Sequence, residues 1–214
     1  MHRSDAETLW EVARVLARDA AKVSRVVAPS VTLPPLLFFT DPARTPRPWE
    51  TAARLPAGAA VVFRHFGQAG ARETALRLRE VTAARDVQLL IGLDAELAET
   101  VGADGLHLPE RALDRAQGVA EDHPDWLITG AAHAGSALDA PFLHARVLSP
   151  VFAAGGASWT TPPLGPKAFG ARAAAASCPV YALGGVDAKN ARSLIGSGAC
   201  GLAAVSAIQS AFYA

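Results

Sequence analysis

Apolar positions along this chain form two alternating kinds of stretch. Short, nearly continuous runs recur: LLFFTD (36–41), AAVVFRHF (59–66), VQLLIG (87–92), DGLHLP (104–109), WLITGA (126–131), ARVLSPVF (145–152), PVYALGG (179–185) and CGLAAVS (200–206). Between them lie amphipathic or alanine-rich stretches such as GARETALRLREVTAAR (70–85). Apolar runs without polar alternation mark strands buried on both faces, and strands alternating with helices build a covered parallel sheet. Eight such units predict an α/β protein, an eight-stranded TIM barrel, with a doubly wound open sheet as the alternative. The N-terminus has another period. Leu9, Val12, Leu16 and Val23 recur at helical spacing, Ser4 or Asp5 can cap, and Glu7 sits in the first turn. VAPSVTLPP, with three prolines, then ends the pattern. Residues 1–28 therefore read as an extra helix packed on a barrel of residues 29–214.

Composition narrows the function. Twenty Lys plus Arg balance twenty Asp plus Glu in 214 residues. Such neutrality argues against a nucleic-acid footprint or a polybasic membrane anchor. No apolar run nears the ~20 residues of a membrane span, and the charged N-terminus lacks a signal peptide's apolar core. Cys178 and Cys200 lie beside strands without metal or redox spacing, as buried small side chains in a reducing compartment. A cytoplasmic protein is expected.

In such a barrel, chemistry gathers where the strands end. The last two strands end in small residues, Gly184-Gly185 and Ser206-Ala207. Turns without side chains let backbone N–H groups and a helix N-terminus approach an anion, so these four residues are candidate phosphate ligands. The bland alternative is tight turns with no ligand. Arg64 ends the second strand as a candidate charge. His65, His107 and His133 could line one mouth, yet nothing in their spacing demands a metal, and none is assigned.

Four motifs, VGADGLHL, SPVF followed by a loop ending PPLG, ALGGV and GLAAVSAI, run in order through most of residues 36–210. With them the chain resembles the thiamine phosphate synthase and TenI superfamily. The resemblance implies that Gly184, Gly185, Ser206 and Ala207 hold the phosphate of a thiazole phosphate, with Arg64, His107 and Ser158 as further substrate contacts. Synthases of that family join a pyrimidine methyl diphosphate to the thiazole using Mg²⁺. Here the Asn-Asp pair of the third strand is Gly92-Leu93. The acidic residue after the HLGQ-like turn is Arg111, the Gln and Lys around Arg64 are Val62 and Phe66, and the fifth-strand Ser is Ala131. The diphosphate loop, AAGGASWTTPPLGP (153–166), has no Lys before Lys167. Each change removes an oxygen ligand or a cation. The resemblance therefore points to the TenI branch, in which a thiazole carboxylate phosphate is tautomerised and a His past the fifth strand moves the proton. His133 matches that position. No cofactor is expected there; Mg²⁺ belongs only to a synthase reading with a rearranged site using Asp41, Asp94 or Glu110. A non-catalytic phosphate-ligand binder is the third reading. A phosphorylated small molecule is the expected partner, and the family's habit makes a homodimer possible.

Overall fold

Every residue of β1 (Leu36–Phe39) and β2 (Ala60–Phe63) is buried, which only a strand covered on both faces can achieve. The computed structural model describes residues 3–23, 31–139, 141–154 and 160–213. In it β1, β2, β3 (Gln88–Gly92), β4 (Gly105–Leu108), β5 (Leu127–Ala132), β6 (Ala145–Leu148), β7 (Val180–Leu183) and β8 (Ala199–Ala204) pair in parallel and close in sequence order. All eight apolar runs became strands, in a closed barrel rather than an open sheet. Alternation splits each strand's side chains between two cores. Leu37, Phe39, Val62, Leu90, Val147 and Tyr181 fill the interior, and Leu36, Phe38, Leu89 and Leu202 pack outward against the helices. The strands stop earlier than the apolar runs suggest. Phe66, Gly184 and Gly185 have positive φ, a conformation that a strand cannot contain.

The helices between strands are α2 (Pro48–Ala52), α3 (Ala71–Ala84), α4 (Ala95–Val101), α5 (Ala116–Asp122) and α6 (Gly165–Ala175), and α7 (Ser206–Tyr213) follows β8. The β7–β8 crossover holds only a 3₁₀ turn, Ala191–Leu194. That leaves the outer side of β8 bare, and α1 (Asp5–Val23) covers it. Its Leu9, Val12, Ala13 and Leu16, spaced i, i+3, i+4, i+7, are fully buried. Ser4 rather than Asp5 caps it. Glu7 N–H donates to Ser4 Oγ at 3.2 Å and Ser4 N–H to Glu7 Oε2 at 2.8 Å, a reciprocal capping box. Among the described residues no helix is long and apolar enough to cross a membrane.

Candidate functional site

The turn after β7 is shaped by space as much as by backbone angle. Gly184 and Gly185 have φ +95° and +63°. A Cβ on Gly184 would lie 2.7 Å from Pro150 Cα, and one on Gly185 2.3 Å from the Ala153 carbonyl oxygen. Only glycine meets both conditions. The segment after β6 is laced to this turn, with Val151 N–H donating to Leu183 O and Phe152 N–H to Gly184 O, both at 2.9 Å. Asn190 braces it from the other side, donating from Nδ2 to Gly185 O at 2.7 Å.

Next to it, β8 runs into α7. The first helical bond is Gln209 N–H to Val205 O, 3.1 Å. The N–H groups of Ser206, Ala207 and Ile208 therefore precede any helical acceptor and carry the positive end of the helix dipole. Gly184, Gly185, Ser206 and Ala207 line one cavity of about 310 Å³, closed by Arg64, Arg44 and Ser149. Arg64 donates from Nε to Thr40 O at 2.9 Å, and its guanidinium lies 5.2 and 5.3 Å from the ring centres of Phe39 and Phe66. Burial pulls its pKa down to about 10, so it stays charged at neutral pH. Among the described residues nothing bonds its buried Nη2. Two cations, a helix N-terminus and an unpartnered guanidinium nitrogen make this a cradle for a phosphate-sized anion.

Arg64 also borders a second cavity of about 520 Å³ over the ends of β2 to β5, walled by Phe66, Leu93, Pro109 and Ala131. Phe66 and Leu93 hold φ of +49° and +69°, a costly state for bulky side chains that collects at functional sites. His65 and His107 line this cavity. Gly67 N–H donates to His65 Nδ1 at 3.1 Å, and Nε2 lies 3.3 Å from Asp94 Oδ2, so both ring nitrogens are engaged. His107 Nδ1 lies 2.9 Å from Thr129 Oγ1, and its ring stands edge-on to Phe39. Burial, with the charges of Arg64 and Arg146, holds its pKa at about 3, so it is a neutral wall.

The carboxylates at the mouth are already satisfied. Asp41 accepts Ala43 N–H, Arg44 N–H and Arg44 Nη2, each at 3.1 Å. Asp94 Oδ1 caps α4 by accepting Leu97 N–H at 2.9 Å, while Oδ2 faces His65. Glu110 Oε2 lies 2.6 Å from His133 Nδ1.

Five candidates from the sequence, Gly184, Gly185, Ser206, Ala207 and Arg64, thus share one cavity, and His107 borders the other with Arg64. His133 follows β5 at the rim, about half exposed, and lines neither cavity. Ser158 and Trp159 lie outside the described residues. Sequence reasoning passed over Arg44 and Asn190. Arg44 sits four residues past Thr40 in TDPAR, a cation in a strand-end loop, and that position was the available signal.

The chain matches the thiamine monophosphate synthase family over residues 38–208, most of its length. It is 31% identical over 137 residues to a thiamine-phosphate synthase of Methanoculleus marisnigri, covering 63% of this chain and 65% of that protein. It is 30% identical over 138 residues to one of Albidiferax ferrireducens, covering 63% of each. The matched segment therefore spans slightly under two thirds of these relatives. Among solved structures, the fold is similar to thiamine phosphate pyrophosphorylase from Pyrococcus furiosus, with a TM-score of 0.66, 20% identity, and coverage of 83% of this chain and 91% of that one. With the order of strands, the glycine turn and the α7 cradle in place, the extent of that family match decides the matter: the chain belongs to the thiamine monophosphate synthase family.

Proposed function

We propose that this protein binds a phosphorylated thiazole and works as a TenI-like thiazole tautomerase rather than as a synthase. The contrast between its two cavities carries this reading. The cradle keeps every backbone donor for one phosphate and adds Arg44 and Arg64. The second cavity, where a synthase would hold a diphosphate and Mg²⁺, is walled by Phe66, Leu93, Pro109 and Ala131. Mg²⁺ takes near-octahedral oxygen ligands, and Asp41, Asp94 and Glu110 spend their oxygens on protein donors. That donor set does not suit the metal, and no step is routed through one. Tautomerisation needs only an anchored phosphate and a base near neutral pKa, the role of His133.

Because His133 stands at the rim, a non-catalytic binder is the second reading. The relatives' names keep a synthase with a rearranged metal site as a third. Calorimetry with thiazole carboxylate phosphate, with and without Mg²⁺, followed by tautomerase and pyrophosphate-release assays, separates them. The expected result is micromolar binding that ignores Mg²⁺, with isomerisation and no pyrophosphate. Binding without isomerisation favours the binder, and Mg²⁺-dependent pyrophosphate release favours the synthase. No binding in either condition removes the thiazole altogether.

A further inference from the structure

Beyond β5 the chain turns back at once and fixes one histidine from three sides. His133 N–H donates to Ser136 Oγ at 2.7 Å, and Ser136 N–H donates to His133 O at 3.0 Å. An Arg172 guanidinium nitrogen donates to the Ser136 carbonyl. The ring is held separately, with Nδ1 2.6 Å from Glu110 Oε2. A carboxylate accepts, so Nδ1 carries the proton and Nε2 is left as the basic nitrogen. The Ser136 hydroxyl, then the His133 ring, keep the Glu110 carboxyl below its ordinary range, and Arg146 is the further charge acting on it.

The strand register gives the direction. Leu127 fills the barrel interior and Ala131 lines the second cavity. His133 has the same parity and continues that inward row. Ser149, which lines the phosphate cradle, donates its N–H to Ala132 O at 3.0 Å. His133 therefore begins about one strand spacing, ~4.8 Å, from the edge of the cradle.

We propose that Glu110 is a positioning residue forming a dyad with His133, and that it orients and charges the base of this site. This rests on the tautomerase reading. His133 Nε2 takes a proton from one substrate atom while the electron pair shifts within the substrate. The imidazolium, stabilised by the Glu110 carboxylate, returns that proton to a second atom. The substrate leaves isomerised, His133 leaves neutral, Glu110 takes no proton, and no co-reactant is consumed.

The test pairs an NMR titration of the His133 ring with the pH dependence of tautomerisation of thiazole carboxylate phosphate. Wild type, Glu110→Gln, Glu110→Asp and His133→Ala are compared. Glu110 and His133 are 41% and 52% exposed, so near-isosteric Glu110→Gln leaves the fold intact, checked by circular dichroism. Removing the anion destabilises the imidazolium. In Glu110→Gln the His133 pKa should fall by about a unit or more, and the acid limb of the rate profile should move to lower pH. Turnover should fall about tenfold or more with KM little changed, and Glu110→Asp should recover part of it. An unchanged ring titration and rate profile in Glu110→Gln, with His133→Ala inactive, overturns the dyad alone. Wild-type turnover in His133→Ala, or no turnover in wild type, overturns the tautomerase reading, while the ring titration still judges the contact with Glu110.

Discussion

Arg64 stands under two opposing demands. Burial between Phe39 and Phe66 disfavours its charge, and its Nη2 lacks a partner among the described residues. A buried charge of this kind is stabilised by an anion that completes its hydrogen bonds. Arg64→Ala should weaken binding of a phosphorylated ligand about 10- to 100-fold, the worth of a charge-assisted hydrogen bond, as calorimetry would record. His107 makes the opposite case. Its folded pKa of about 3 lies below the unfolded value of 6.5, so the unfolded chain binds the extra proton between those values. Stability should therefore fall as pH drops from 6.5 toward 3, by up to about 1.4 kcal/mol per pH unit from this group. Denaturant melts across that range should show a shallower slope in His107→Gln. The sequence marks His107 and His133 by position but not by role. One neutral wall and one carboxylate-held base differ only in neighbours such as Thr129 and Glu110, which come from other strands and loops.

At the scale of elements, apolar periodicity locates pieces better than their ends. The eight strand centres were legible because both faces of each must be dry. The ends were not, because PVYALGG stays apolar or small while its backbone turns at Gly184. Helix α1 was legible from Leu9, Val12 and Leu16, but its seat was not, since the shortness of the β7–β8 crossover is invisible in its composition. Because α1 is the outer cover of β8, Leu16→Ala should cost about 2–5 kcal/mol, the range for a buried leucine that leaves a cavity. Thermal and urea unfolding would measure it, and a loss within about 0.5 kcal/mol, typical of surface changes, would mean that α1 contributes little to the barrel.

Across the whole molecule, closure creates what no local stretch contains. The phosphate cradle joins the ends of β7 and β8 to Arg44 and Arg64, which follow the first two strands. A balanced total of charge, twenty against twenty, coexists with this local positive basin, so net charge gave no hint of it. The same closure sets an order of events at the ribosome. Helix α1 is finished by Val23, whereas the strand it shelters starts at Ala199. Throughout synthesis the greasy stripe of Leu9, Val12 and Leu16 waits without its docking surface, and that surface emerges last. Contacts so distant along the chain form slowly and leave apolar surface open to unwanted association. The nascent protein thus spends nearly its whole translation with a sticky leading end, a state suited to capture by a holding chaperone until the final strand arrives.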